Sequence, residues 1–450
     1  MEIILVSIFV LGYLAITLEH SLNIDKLIPA LSMMAVLWAL VSIYHLPVFE
    51  VDTSLKQLIP SHLDEILLHH LGKTSEILVF LLGAMTIVEI IDYFNGFSTI
   101  KNFIKTKSKK RLLFIFSGLA FLLSAIIDNL TATIVLITIL QKVIIDRNTR
   151  LWFVGLIVIS ANSGGAWSPI GDVTTTMLWI GDKVTTGSLI FNLLIPSIVC
   201  MVVPVLLATK LPAFRGNLSD DIEKSSLDSE IHKHGSTMLY LGLSAIIFVP
   251  VFKVLTHLPP YLGMMLSLAV VATFAEIFSN AKISITSIDK DHDKYSSHSP
   301  VHSSLSKIEL PSILFFLGIL MAVAALESLG MLFEFAEKIN EIMPNTDIVV
   351  MILGFGSAII DNVPLVAASM GMFSNLIDDP LWHFIAFSAG TGGSMLIIGS
   401  AAGVVAMGME KIDFFWYLKK ISWLALVGFL SGSLTFLAMR DYILSGLKFF

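Results

Sequence analysis

The chain has 450 residues, enough for two or three soluble domains, but 55% are hydrophobic and only 14% charged, against about 25% charged in soluble domains. A formal net charge of −7 spread over loops excludes the clustered basic face of a nucleic-acid-binding protein, and the single cysteine, Cys200, excludes an intrachain disulfide or a multi-cysteine metal centre. A mean hydropathy of +0.85 needs apolar segments nearly everywhere, so composition points to a polytopic protein of the lipid bilayer.

In chain order, the first apolar segment, MEIILVSIFVLGYLAITLEH, carries Glu2 where a signal peptide would be basic and reads as a first spanning helix. Runs of about 20 apolar residues predict spans at 3–18, 27–45, 76–97, 188–210, 237–255, 261–279, 310–330 and 421–439. Residues 54–72 show apolar and polar faces at helical spacing, which predicts a helix along the membrane surface with His69 and His70 outward. Segments 212–236 and 280–309 read as solvated polar linkers in which His232, His234, His292, His298 and His302 are hydrated. Four further apolar stretches, 112–145, 151–180, 347–376 and 383–408, are interrupted.

The interruptions repeat. SAIIDN occurs at 124–129 and again at 357–362. Leu81–Gly96 resembles Phe316–Gly330, and SANSGGAWSPIGD (Ser160–Asp172) resembles SAGTGGSMLIIGS (Ser388–Ser400), with both Gly-Gly pairs in register. Three motifs in one order make an internal duplication. Lys/Arg distribution gives its sense: Lys101, Lys105, Lys107, Lys109, Lys110, Arg111, Arg147 and Arg150 flank the first interrupted stretch and predict a re-entrant hairpin from the cytoplasm. The second is flanked by Glu334, Glu337, Glu341, Asp347, Asp378 and Asp379 and enters from outside, so the repeats are inverted and the N-terminus lies outside. The expected fold is an all-α polytopic membrane protein with about 10 transmembrane helices, two re-entrant hairpins in an inverted repeat, and two broken helices.

Broken backbone at membrane depth is tolerated only when buried in protein or lining a wet cavity, so the four breaks predict a central polar site. The Gly164-Gly165 and Gly392-Gly393 pairs and Pro169 free backbone carbonyls from the helical ladder. Beside the breaks stand Asp128, Asp172 and Asp361, each costing about 2.5–3.5 kcal/mol at mid-membrane unless paired, protonated or solvated. Asp-Asn at a hairpin tip is also a good helix N-cap, and Asp172 ahead of Val173-Thr174 has the same alternative use; its repeat partner is Ser400. Candidate ion and proton residues are Asp128, Asn129, Thr131, Ser160, Asn162, Asp172, Asp361, Asn362, Ser388, Thr391 and Glu89, the last a proton-relay candidate deep in its span. The metal ion is placed at Asp128, Asn129, Asp361 and Asn362. Oxygen donors without His or Cys suit a hard cation. A proton competes for the same carboxylates, and a site that crosses only when charge-compensated couples opposite fluxes of Na⁺ and H⁺.

The two SAIIDN motifs, with SANSGGAWSPIGDVTTT after the first, resemble the NhaD-type sodium/proton antiporters of the ion transporter superfamily over about residues 76–439. The resemblance implies Na⁺ or Li⁺ exchange for H⁺, elevator-like alternating access, a homodimer in a bacterial inner membrane, no cofactor and no enzymatic activity. It divides the chain into a scaffold (1–75, with the interfacial helix, and 237–279), a first core repeat (76–211, hairpin 112–145), linkers (212–236 and 280–309) and a second core repeat (310–450, hairpin 347–376). Related dicarboxylate carriers bear Ser-Asn-Thr at similar tips, where this chain has Asp128-Asn129-Leu130-Thr131 and so supplies its own carboxylate. An arsenite- or citrate-type anion carrier is the alternative, disfavoured because no Arg or Lys is expected near either tip to hold a polyanion. An intramembrane aspartyl protease using Asp128 and Asp361 is remoter, because no Tyr-Asp or Gly-x-Gly-Asp motif occurs at these residues.

Overall fold

In a computed structural model, the chain is described over residues 1–17, 24–52, 57–103, 106–217, 234–279, 299–308, 310–343, 345–359 and 362–447. Seven of the described helices are long and apolar enough to cross a membrane, which makes this a multi-pass membrane protein. Helices α1 (Glu2–Thr17) and α2 (Leu27–Ile43) lead to a two-stranded antiparallel hairpin, β1 (Val48–Asp52) and β2 (Gln57–Ser61). The segment 54–72 is therefore not one surface helix. Gln57–Ser61 pairs with β1, and from Leu63 the chain runs without a break into α3 (Leu63–Tyr93). Its first turn carries Asp64 and Glu65, which favour a helix N-terminus, and a lone Gly72 does not stop it.

The chain continues through α4 (Lys109–Ile127), α5 (Asn129–Val143), α6 (Arg147–Gly165), α7 (Val173–Ile180) and α8 (Thr186–Ala208). Two helices, α9 (Gly235–Thr256) and α10 (Pro260–Phe278), precede a short α11 (Pro300–Leu305). Then follow α12 (Leu310–Ser328), α13 (Met331–Ile342), α14 (Thr346–Ser357), α15 (Asn362–Met372), α16 (Pro380–Gly392), α17 (Ala401–Glu410), α18 (Phe414–Lys420) and α19 (Ser422–Leu447). Both polar linkers are packed at one end. Phe214 is buried against Trp152 and Phe153, and α11, capped by Ser299, packs on α3 and α10. His234 stacks on Phe278 and His302 lies in α11, whereas His232, His292 and His298 lie outside the described residues.

The duplicated motifs do the same work in both halves. Ser124 donates its hydroxyl to the carbonyl of Ala161 at 2.6 Å, and Ser357 donates to that of Ala389 at 2.7 Å, so each SAIIDN serine ties a hairpin arm to an interrupted helix. The Gly-Gly pairs do not break their helices as expected: α6 runs through Gly165, α16 ends on Gly392, and the irregular backbone follows at 166–172 and 393–400. A Cβ on Gly164 would overlap the Phe121 carbonyl, and one on Gly392 the Gly354 carbonyl. These glycines serve close approach of two backbones, for which only a missing side chain leaves room.

The halves also brace each other. Glu410, buried at the end of α17, accepts from Arg150 Nε at 2.7 Å and from Gln141 Nε2 at 3.0 Å, which fixes the base of the first hairpin. Asp378, beyond the second hairpin, accepts from the Thr185 N–H at 2.7 Å and its hydroxyl at 2.8 Å.

Candidate functional site

The first tip is a single residue. Asp128 separates α4 from α5 with φ 84° and ψ 159°, a backbone region that costs a non-glycine residue about 1–3 kcal/mol. Its carboxylate secures the helix that follows: the Thr131 N–H donates to Oδ1 at 2.7 Å and the Thr131 hydroxyl to Oδ2 at 2.9 Å. The N-cap use foreseen for Asp128 is realised, and it engages both oxygens.

The polar centre lies one residue further on and across the two repeats. Asp172 is buried, and its Oδ1 caps α7 by accepting from the Thr174 N–H at 3.2 Å. Its Oδ2 accepts from Nδ2 of Asn129 at 3.0 Å and from Nδ2 of Asn362 at 3.2 Å. One carboxylate oxygen thus joins the first residue of α5 to the first residue of α15. Behind it, Asn162 donates from Nδ2 to the Val158 carbonyl at 2.8 Å and to Ser400 Oγ at 3.1 Å, and its Oδ1 lies 3.4 Å from Asn129 Nδ2. Ser400 caps α17, its Oγ accepting from the Gly403 N–H at 3.2 Å. Four helix N-termini meet here, each equivalent to about +0.5 of an elementary charge, a field in which a buried carboxylate is at home.

A cavity of about 110 Å³ opens on this centre, with Asp128, Asn129, Thr131, Asp172, Thr176 and Asn362 on its polar wall. The facing wall is apolar, from α3, α9, α10 and α12, apart from Ser312 and Lys26. Lys26 corrects the sequence reading that no Lys lies near a tip: it immediately precedes α2, remote in sequence from both tips, and the fold brings it to the cavity, with its ammonium 4.6 Å from the Phe315 ring centroid.

Of the expected site residues, the fold gathers Asp128, Asn129, Thr131, Asp172 and Asn362 around the cavity and sets Asn162 just behind. Ser160, Ser388, Thr391 and Glu89 do not line it. The Ser160 and Thr391 hydroxyls donate to carbonyls of their own helices at 2.7 Å and 2.6 Å. Ser388 Oγ is buried without a hydrogen-bond partner among the described residues. Glu89 is half-buried one turn beyond Met85, the last α3 residue on the cavity. Asp361 lies outside the described residues. Lys26, Thr176 and Ser400 were not among the expected residues; only Ser400 had a sequence signal, as the repeat partner of Asp172.

An inverted duplication of hairpin and interrupted helix, set around a buried polar cavity in a multi-pass chain, defines a membrane transporter. A family model described as citrate transporter matches residues 13–383. The chain is 42% identical to sodium/proton antiporter 1 of Arabidopsis thaliana over 98% of this chain and 73% of that protein. It is 40% identical to sodium/proton antiporter 2 of the same plant, over 97% and 99%. With the Na(+)/H(+) antiporter NhaD of Alkalimonas amylolytica it shares 30% identity over 92% and 86%. The crystal structure of the Alcanivorax borkumensis YdaH transporter shares the fold, with a TM-score of 0.52 at 13% identity, covering 92% of this chain and 97% of that one. The chain belongs to the NhaD-type sodium/proton antiporter family, within the broader citrate-transporter family.

Proposed function

We propose that the protein exchanges Na⁺, and also Li⁺, for H⁺ by elevator-like alternating access, with Asp172 as the carboxylate that the two ions occupy in turn. The supporting observation is that a single buried carboxylate oxygen takes amide N–H groups from both tips at 3.0 and 3.2 Å. An amide presents donors on one side and an acceptor oxygen on the other. In the ion-free arrangement the N–H groups of Asn129 and Asn362 satisfy Asp172. With Na⁺ seated, both amides turn by half a revolution and offer Oδ1, which suits a hard cation. With a proton on the carboxyl group the charge is likewise cancelled, so either loaded form crosses the membrane and the bare carboxylate does not.

The moving part in this reading is the two core repeats, 76–211 and 310–450, sliding against a scaffold of 1–75 and 237–279. Of the apolar cavity wall, Ile246 on α9 and Met264 on α10 belong to that scaffold, and α3 and α12 to the repeats, so the boundary would run through the wall. Two copies pair through the scaffold. The basic loop after α3 faces the negatively charged side of an energised membrane, with the N-terminus opposite. A bacterial inner membrane is the setting read from the sequence, whereas two of the matched relatives come from a plant.

The reading is tested in inverted membrane vesicles holding a respiration-driven pH gradient. Addition of NaCl or LiCl collapses the gradient in vesicles with the protein and not in vesicles without it; an inert response to both salts refutes exchange. A second reading, anion transport, is favoured by Lys26, the four helix N-termini and the family description. Against it, the cavity already carries the carboxylates of Asp128 and Asp172, which disfavour an anion there. Citrate uptake by the same vesicles decides.

A further inference from the structure

Lys109, Lys110 and Arg111 open α4, and Lys419 and Lys420 close α18. The fold brings these two basic ends to one groove of about 580 Å³, bounded also by the start of α6 and the segment around Pro212, and Lys109 and Lys420 both line it. None of its described lining residues is acidic. The Lys109 ammonium is placed by donating to Thr149 Oγ1 at 3.4 Å. Asp146 feels the charge of Lys109, but its carboxylate caps α6 by accepting from the Thr149 N–H at 3.0 Å. The aromatic member of the groove is Trp152, which meets Trp416 edge-on with ring centroids 5.7 Å apart. The other tryptophan near the start of an interrupted helix, Trp382, is fully buried and donates its indole N–H to the carbonyls of Asn375 and Leu376. Trp152 is half-buried, and its N–H has no partner among the described residues. The short helix that ends on Lys420 also carries Phe415 and Leu418, 62% and 41% exposed. Fixed positive charge, an interfacial tryptophan and apolar side chains open to hydrocarbon therefore adjoin.

We infer that this groove binds the phosphate of an anionic phospholipid, bridging Lys109 at the start of α4 and Lys420 at the end of α18. Lysine holds phosphate as a point charge, and basic pockets between helices at the membrane surface take anionic headgroups. The acyl chains lie along Phe415 and Leu418. A free phosphate ion meets the same ammonium groups but brings no chains to bury, so the lipid is the stronger ligand. The bridge joins parts of the chain far apart in sequence, as the ion pair of Arg150 with Glu410 does at 2.7 Å. Bound lipid thereby adds a second tie at this end of the molecule and stabilises the fold by mass action. The site is independent of which ion the protein carries.

The test is native mass spectrometry of the full-length protein in neutral detergent, titrated with phosphatidylglycerol, phosphatidylcholine or inorganic phosphate, with melting temperature measured on the same samples. Wild type takes up phosphatidylglycerol in preference to phosphatidylcholine and melts higher with it, and inorganic phosphate at equal concentration does not displace it. Two lysines beside an anionic headgroup are together worth about thirtyfold in affinity, so the double variant Lys109→Gln/Lys420→Gln loses phosphatidylglycerol by about that factor. Lys109→Arg/Lys420→Arg keeps the charges and the lipid. Lys110→Gln/Lys419→Gln removes the same charge from neighbours that do not line the groove, and stays within about threefold of wild type because exposed charges at a distance are screened. Lys420→Gln alone, at an exposed position, loses about fivefold and serves if the double variant does not fold. Equal losses in the groove pair and the flanking pair would reduce the effect to the overall charge of this face and overturn the site. So would equal uptake of the two lipids by wild type, and displacement of phosphatidylglycerol by inorganic phosphate would make it a site for a free anion instead.

Discussion

Asp172→Ser separates the two tasks of that side chain. Asp172 caps α7 through Oδ1 and seats both asparagines through Oδ2. Its repeat partner Ser400 shows that a serine caps the equivalent helix, with the Gly403 N–H at 3.2 Å from Oγ. Ser and Asp are nearly equal as N-caps, so α7 stays in place and the protein still inserts and purifies. The charge is lost. Two unit charges 4 Å apart attract by about 4 kcal/mol at an effective dielectric constant of 20, which corresponds to nearly a thousandfold in affinity. The amides of Asn129 and Asn362 also lose their shared acceptor, at about 1–3 kcal/mol for each group left unsatisfied, offset by removal of a buried charge. The assay is ²²Na⁺ binding and Na⁺-dependent gradient collapse, with elution profile and melting temperature as folding controls. A well-folded Asp172→Ser protein whose Na⁺ affinity lies within tenfold of wild type would refute the assignment of the seat to this carboxylate.

Other outcomes follow from the same geometry. Asp128→Gly and Asp128→Ala both lose the Thr131 cap, but only glycine relieves the positive φ of 84°, so the glycine variant should melt higher, by about 1 kcal/mol of stability; equal melting would show that no strain resides at the tip. Gly392→Ala puts a methyl group onto the Gly354 carbonyl and should cost more than about 3 kcal/mol, seen as loss of monodisperse protein on size-exclusion chromatography, while Gly187→Ala, with open space around it, is neutral. Asp146, in the turn ahead of α6, has its carboxyl held below the ordinary carboxylate range, chiefly by the hydrogen bonds from Thr149. A lowered folded-state pKa stabilises above the unfolded-state value and is lost as pH falls through the folded one. Melting temperature should thus drop more steeply below about pH 4 in wild type than in Asp146→Asn, and parallel curves would contradict it.

Much of the framework could be read from the chain because spanning helices write long apolar runs: α8, predicted at 188–210, runs Thr186–Ala208. The tips were visible because SAIIDN occurs twice, and duplication marks position even where chemistry is ambiguous. Asp172 was readable both as cap and as ligand, and the geometry explains the difficulty, since one oxygen does each. Lys26 was not readable. Its place on the cavity depends on how α2 packs against α12, a tertiary relation that leaves no local pattern. Residues 54–72 were misread because a five-residue strand followed by a helix start shares its polar and apolar spacing with a short amphipathic helix. The Gly-Gly pairs were read as helix breakers because glycine is a poor helix former, although buried backbone contact can outweigh propensity.

At the polar centre the mirror relation between the halves fails at Asn162, opposite Gly390, and at Asp172, opposite Ser400, and the second failure has a mechanical corollary. A molecule with two equivalent halves would look alike from either compartment, because exchanging their postures would map one open form onto the other. With the acid at the helix break furnished by one half only, such a swap would deliver a different surrounding to the ion on each side. Under the exchange proposed above, loading from one compartment and unloading into the other would then occur at unequal strengths.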